Sequence, residues 1–157
     1  PVLIEFKNEI SEIIWLVSQI KDSIDTMSNV IICRNRATID LLRMKLSQKG
    51  VHATIIDKDQ AGFASVKGVY LSTFHAAKGL EFENVFIPFL NEGAYPDSET
   101  INSSADQRSA LASELKLLYV AVTRSKYGLF MSYHGQLSRL FPSTSSNYQI
   151  INGETML

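Results

Sequence analysis

The sequence predicts an α/β domain built around a mainly parallel β-sheet. Short runs rich in β-branched residues alternate with amphipathic helical stretches along most of the 157 residues, and strands that alternate with helices usually form parallel sheets. Residues 29–33 are apolar along almost their whole length, as strands buried on both faces are. With a hydrophobic fraction of 45%, the chain is long enough for one domain with its own core.

The first half of the chain predicts strands that alternate with two helices. Residues 2–6 form the first predicted strand. In the helix that follows, isoleucine and valine recur at helical spacing, Asn8 is a suitable N-cap, and acidic residues occupy the first turn. A second helix follows the strand at residues 29–33 and ends at Gly50, a residue type that favours a helix C-terminus. Residues 53–56 predict another strand.

The second half predicts further strands and one long helix. Two polar segments, residues 57–67 and 91–105, predict loops. Asp106 can cap the helix, whose apolar residues recur at helical spacing towards Arg124. Residues 142–157 show no sustained periodicity, and we expect a loosely ordered tail there. The predicted strands of this half are residues 68–73, 84–88 and 127–133.

Composition and charge exclude several classes of protein. With 15 basic and 16 acidic residues the net charge is −1, so any contact with nucleic acid must be local. Cys33 is the only cysteine, which excludes a disulfide framework and a cysteine-rich zinc site and suits a reducing cytoplasm. No apolar stretch approaches the roughly 20 residues that span a bilayer, and we expect a cytoplasmic protein with no membrane partner. The chain begins without methionine, and we expect it to be a piece of a longer protein.

Polar residues near predicted element ends form three groups of candidates. The first begins at Arg34, the second covers residues 73–82, and the third is Thr123 with Arg124. Open α/β folds bind ligands at the carboxyl ends of their strands, and we expect the three groups to meet at that edge. A guanidinium is permanently charged and can bind two phosphate oxygens at once. This suits Arg34 and Arg124 to stabilise a transferring phosphoryl group.

Each of these residues also has a plainer interpretation. Arg34 fits an ordinary surface arginine, and Arg124 is favoured near a helix C-terminus by the helix dipole. Lys78 fits a basic residue at the end of a short helix, with Gly79 as its C-cap. His75, taken alone, fits a hydrogen-bonded loop histidine.

The combination of these residues resembles the late motifs of superfamily 1 helicases of the UvrD/Rep type. Cys33 and Arg34 also stand where that family has a strand ending in an aromatic residue followed by arginine and a polar residue. The resemblance covers about residues 30–140. Its two longer motifs read Thr73-Phe74-His75-Ala76-Ala77-Lys78-Gly79-Leu80-Glu81-Phe82 and Leu118-Tyr119-Val120-Ala121-Val122-Thr123-Arg124.

The resemblance implies a RecA-like, three-layer α/β domain at residues 1–141, the C-terminal motor domain of a DNA helicase, followed by the tail at 142–157. It implies arginine fingers directed at ATP, a nucleotide contact and a contact with single-stranded DNA. By role, the implied residues are Arg34 and Arg124 as fingers, Glu81 and Gly79 at the nucleotide, and Thr73, His75 and Lys78 at the DNA backbone.

Two departures from the family pattern stand out. Cys33 occupies the place where many members have a tyrosine that stacks on adenine. Only a few tens of residues separate Arg34 from Thr73, where the best-known relatives insert a further subdomain. The sequence therefore predicts a reduced member of the family.

The parts that hold and hydrolyse ATP are missing from the sequence. A phosphate-binding loop of the pattern Gly-x-x-x-x-Gly-Lys-Ser/Thr does not occur, and no Asp-Glu pair follows a predicted strand. We therefore expect ATP and Mg²⁺ to act only in the full-length protein, held by an N-terminal motor domain as partner. The isolated chain should bind no cofactor tightly, hold no metal and have negligible ATPase activity.

Two other functions compete with the motor hypothesis. One is a RecA-like regulatory or protein-interaction module without catalysis. The other is a separate α/β enzyme that uses His75 and Glu81 as an acid and base pair, for which the chain supplies no nucleophile or cofactor site.

Overall fold

A seven-stranded sheet carries four helices in the computed structural model, which describes residues 2–57, 66–142, 146 and 148–157. The strands are β1 (Val2–Phe6), β2 (Ser28–Cys33), β3 (Thr54–Ile55), β4 (Gly68–Thr73), β5 (Phe82–Ile87), β6 (Ser125–His134) and β7 (Gln149–Asn152). The helices are α1 (Glu9–Ser23), α2 (Arg36–Gln48), α3 (Ser98–Ser103) and α4 (Gln107–Val122), and a 3-10 turn covers Gly153–Met156.

The strands lie in the order β3-β4-β2-β5-β6-β1-β7, and every pair of neighbours is parallel. Parallel neighbours must be joined by crossovers, which here place helices over the sheet. The predicted α/β fold with a mainly parallel sheet is confirmed.

Two separate cores make the domain three layers thick. On one face, Trp15 and Leu16 of α1 pack with Leu42 and Leu46 of α2 against the sheet. On the other face, α4 packs through Leu118 and Ala121, together with Phe74 and Tyr95 from the connecting segments. The interior strand β2 is buried along its whole length because it is covered on both faces.

The predicted helix caps at Asn8 and Asp106 are confirmed. The Asn8 side chain accepts a hydrogen bond from Ser11 N at 3.0 Å, and Asp106 accepts one from Ser109 N at 3.1 Å. Each cap satisfies an N–H group that the first helical turn leaves without a partner. The helix boundaries therefore follow from the local sequence.

A buried carboxylate ties α1 to the sheet. Glu12 is fully buried, and its Oε1 accepts hydrogen bonds from Phe89 N at 2.8 Å and from Ser132 Oγ at 2.6 Å. Its Oε2 lies 2.6 Å from His134 Nδ1. This hydrogen bond raises the pKa of His134. A buried carboxylate needs such partners, and Glu12 has them on two strand ends.

Two predictions about the loops and the tail are wrong in part. The predicted loop at residues 91–105 contains α3, whose N-cap Asp97 accepts from Thr100 N at 2.9 Å. The predicted loose tail contains β7, which pairs along β1 from Val2 to Glu5. Hydrogen bonding to an exposed strand edge orders this segment without any periodic sequence signal. Most of the predicted loop at residues 57–67 lies outside the described residues, as do residues 143–145 and 147 of the tail.

Among the described residues, no helix combines the length and the apolar character that a bilayer-crossing helix requires.

Candidate functional site

The segment between β4 and β5 is a compact turn that presents polar groups outward. Phe74, Ala77 and Leu80 recur every third residue and are buried, whereas His75 and Lys78 between them are exposed. Leu80 N donates to Ala77 O at 3.1 Å, and Ala77 N donates to Thr73 O at 2.9 Å. The apolar residues thus fix the backbone and leave the imidazole and the ammonium exposed to solvent.

Thr73 is the last residue of β4 and lies beside the end of β2. It pairs with Cys33, and the Cys33 carbonyl accepts from Phe74 N at 3.2 Å. The Thr73 hydroxyl accepts a hydrogen bond from Ala76 N at 3.2 Å, which supports the turn. The three residues predicted to contact single-stranded DNA, Thr73, His75 and Lys78, therefore lie on one short segment.

A groove of about 640 Å³ separates this turn from α4. Phe74, His75 and Lys78 line one wall, and Ser113 and Lys116 of α4 line the other. Within the described residues, neither lysine has a carboxylate within ion-pair distance. The groove therefore carries local positive charge on a chain whose net charge is −1.

Arg34 is held by a buried carboxylate. Its Nε donates to Glu114 Oε2 at 2.8 Å and its Nη2 to Glu114 Oε1 at 2.7 Å. The Glu114 side chain is 3% exposed and that of Arg34 is 19% exposed. Hydrogen bonding to Glu114 raises the pKa of the Arg34 guanidinium. In this arrangement the charge of Arg34 is already matched.

Arg124 has a different environment. Its Nε donates to Val120 O at 2.9 Å, Nη1 to Leu80 O at 3.3 Å, and Nη2 to the Thr123 hydroxyl at 3.0 Å. All of these acceptors are neutral oxygens, and within the described residues no carboxylate pairs with Arg124. The guanidinium is thus oriented by hydrogen bonds while its positive charge stays uncompensated.

Glu81 and Gly79 lie close to Arg124. The Arg124 carbonyl accepts from Phe82 N at 2.9 Å, which joins the start of β5 to the end of α4. Glu81 is exposed and lies 3.6 Å from the Lys126 ammonium. Gly79 has a φ of +85°, a conformation that residues with a Cβ rarely adopt. The structure therefore brings together Gly79, Glu81 and Arg124.

The two predicted arginine fingers lie at opposite ends of the sheet. Arg34 follows the carboxyl end of β2, whereas Arg124 precedes the amino end of β6 because α4 runs back against the strand direction. The paired registers of β2, β5 and β6 separate the two backbones by about eight residues, or roughly 25 Å, along the strands. The expectation that all three groups of candidates share one edge is wrong for Arg124.

Two side chains of the site were not predicted. Glu114 and Lys116 lie in the middle of α4, where charged residues usually face solvent. A signal for Glu114 was present, because it stands four residues before Leu118 and so shares the buried face of the helix.

Among the residues described, no group of three or more His, Cys, Asp or Glu side chains could hold a metal ion.

Comparison with known proteins places these motifs in a family. The family model of the UvrD-like helicase C-terminal domain matches residues 57–136. The ATP-dependent DNA helicase Rep of Buchnera aphidicola is 32% identical over 145 residues, which cover 84% of this chain and 21% of that protein. A probable DNA helicase II homologue of Mycoplasma genitalium is 45% identical over 82 residues, which cover 51% of this chain and 11% of that protein.

A solved structure shares the fold. The crystal structure of the C-terminal domain of a possible DNA helicase from Lactobacillus plantarum matches with a TM-score of 0.65 at 20% identity, covering 96% of this chain and 84% of that one. The chain spans only 11% to 21% of the two curated relatives named above. The family match covers the segment from Asp57 to Gln136, which contains both long motifs. The chain belongs to the family of UvrD-like helicase C-terminal domains.

Proposed function

We propose that this chain is the second motor half of an ATP-dependent DNA helicase or translocase. It supplies Arg124 to ATP held by another domain of the full-length protein and contacts single-stranded DNA through the turn at Thr73, His75 and Lys78. The observation that carries the proposal is the uncompensated, oriented guanidinium of Arg124. Full-length Rep, of which this chain matches about a fifth, is described as an ATP-dependent DNA helicase.

Arg124 suits a transition state better than a ground-state ion pair. Negative charge spreads over the γ-phosphate oxygens during phosphoryl transfer, and a preoriented cation stabilises it without reorganisation. The hydrogen bonds that Arg124 donates to the Val120 and Leu80 carbonyls fix the guanidinium in advance. Arginine fingers that act from another domain contribute about a thousandfold or more to turnover.

Glu81 and Gly79 would meet the same nucleotide. Glu81 is exposed next to Arg124, and its carboxylate can accept hydrogen bonds from ribose hydroxyls. Because Gly79 lacks a Cβ, a ligand can approach the backbone of the turn closely at this position. Mg²⁺ would be held with ATP by the other domain, because the described residues here offer no acidic cluster for it.

A contact between Arg34 and the phosphates of ATP depends on its ion pair with Glu114. The Arg34 Nε and Nη2 already donate to the Glu114 carboxylate, so a two-bond phosphate contact through this edge of the guanidinium requires phosphate oxygens to replace Glu114. We therefore rest the finger function on Arg124 and propose for Arg34 a contact that depends on this exchange.

The turn between β4 and β5 offers a route for coupling. Thr73 and His75, the proposed DNA contacts, lie at the end of this turn next to β4. Glu81, the proposed nucleotide contact, lies at the other end beside Arg124. A DNA strand and a nucleotide would therefore bind to the two ends of one short, internally hydrogen-bonded segment.

We place the protein in the cytoplasm, since its single cysteine, Cys33, is buried and unpaired.

The proposal is tested by substitution in the full-length protein. Arg124→Ala should lower ATP turnover about a thousandfold while ATP affinity stays close to that of the parent. Arg108→Ala removes an exposed arginine from the start of the same helix and should leave both quantities unchanged. His75→Ala should weaken stimulation by single-stranded DNA more than basal hydrolysis. Turnover that is unaffected by Arg124→Ala would favour the non-catalytic regulatory module instead.

A further inference from the structure

The groove between the β4–β5 turn and α4 has a second wall to which no function has yet been assigned. The turn contributes His75 and Lys78, and α4 contributes Ser113, Lys116 and the apolar side chain of Leu117. His75, Lys78, Ser113 and Lys116 are all exposed, so a ligand can enter from solvent.

The charge of this groove is not neutralised within the described residues. The nearest acidic residue along α4, Glu114, has both carboxylate oxygens on Arg34 and is buried. Lys78 and Lys116 are therefore two ammonium groups facing one groove without a carboxylate partner. Two such groups favour a ligand with successive negative charges.

The lining also indicates which polyanion fits. The partly exposed Leu117 and Val120 give the groove apolar surface beside its cations. Phe74 is 1% exposed, so it offers no free aromatic face on which a base could stack. A phosphodiester strand, with phosphates on the lysines and sugars along the apolar surface, matches this lining without sequence readout.

We propose that α4 is the second wall of the strand-binding groove and that Lys116 is a phosphate ligand for single-stranded DNA. This inference rests on the proposed function and adds to it a residue outside the motif segment. Ser113 lies one turn before Lys116 on the same wall and can donate its hydroxyl to the same strand.

The position of Lys116 gives the contact a mechanical consequence. Lys116 and Val120 are four residues apart on one side of α4, and Arg124 follows Val120 by four residues, just beyond the end of the helix. The Val120 carbonyl accepts the Arg124 Nε hydrogen bond. A strand bound at Lys116 therefore acts on the helix that orients the finger, in addition to the turn that carries Glu81.

The test measures binding of a fluorescein-labelled oligothymidylate to the chain by anisotropy over a series of salt concentrations. Lys116→Ala should weaken binding and reduce the slope of log affinity against log salt by about 0.7, the value for one phosphate contact on a single strand. Lys78→Ala should do the same. Lys49→Ala, an exposed lysine at the end of α2 on the opposite face of the sheet, is the matched control and should change neither quantity.

Inorganic tripolyphosphate, used as a competitor, separates a strand site from a nucleotide-phosphate site. Competition that needs tripolyphosphate far above the Kd of the oligonucleotide supports a DNA-strand site, whereas tripolyphosphate that binds as tightly as the oligonucleotide would overturn it. If Lys78→Ala weakens binding and Lys116→Ala does not, the proposed role of α4 in DNA binding is wrong and the proposed function stands. If the parent chain does not bind the oligonucleotide at low salt, the role of α4 and the DNA contact of the proposed function are both wrong.

Discussion

The guanidinium of Arg34 and the carboxylate of Glu114 form a two-bond ion pair that joins the end of β2 to the middle of α4. The two bonds measure 2.8 and 2.7 Å, and Glu114 is almost completely buried. Tyr95 donates its hydroxyl to the Glu114 carbonyl, so the same turn of the helix is bound from a third segment. The pair therefore fixes α4, which carries Lys116 and precedes Arg124.

Removing Arg34 should leave a buried carboxylate without a partner. We expect Arg34→Ala to lower the free energy of unfolding by about 3 kcal/mol, measured by urea denaturation. The double substitution Arg34→Met with Glu114→Leu should recover much of that loss, because it removes both charges. Arg36→Ala, which breaks an exposed pair with Asp57, should cost no more than about 1 kcal/mol. An equal effect of Arg34→Ala and Arg36→Ala would contradict the account of this pair.

The pair of His134 and Glu12 predicts a pH dependence of stability. Hydrogen bonding to Glu12 raises the pKa of His134 in the folded chain. The stabilisation is therefore complete below the unfolded pKa of about 6.5 and is lost as pH rises through the raised folded pKa. His134→Gln should cost about 2 kcal/mol in unfolding free energy at acidic pH and less at alkaline pH.

Urea denaturation at several pH values measures this difference between His134→Gln and the parent. The same comparison for His52→Gln, at an exposed position, is the control. A difference for His134→Gln that grows with rising pH would contradict the sign derived from the folded contact.

Gly153 predicts how firmly the C-terminal strand is attached. A Cβ at this position would lie 2.3 Å from the Phe6 ring, which is itself buried in the core. Gly153→Ala should therefore displace the turn that follows β7 and cost about 1 to 3 kcal/mol of unfolding free energy. Thr155→Ala, in the same turn and exposed, should cost much less. Equal, small effects would indicate that this turn does not pack on Phe6.

Local chemistry made much of the fold predictable from the sequence. Asn8 and Asp106 were identified as caps because a side-chain acceptor before an amphipathic run has few other uses. The apolar segment at β2 was identified as a buried parallel strand because it is a short, almost wholly apolar run. Strand β7 was not predicted, because its order comes from pairing with β1 about 150 residues earlier rather than from its own pattern.

The candidate site was predicted in its residues but not in its layout. Arg124 was expected beside Arg34, and the error lay in the direction of α4, which a motif does not encode. The partner of Arg34 was missed because Glu114 is 80 residues away along the chain. Contacts between distant segments require the sheet order, and that order emerged only from the structure.

Chemical rescue of Arg124→Ala in the full-length protein tests the central claim most directly. ATP would be bound first, and one round of hydrolysis would be followed with and without added guanidinium chloride. We predict a loss of about a thousandfold in the rate per bound ATP, a partial recovery with guanidinium, and no effect of guanidinium on Arg108→Ala. A rate per bound ATP that equals the parent's, with or without guanidinium, would contradict the assignment of Arg124 as the arginine finger.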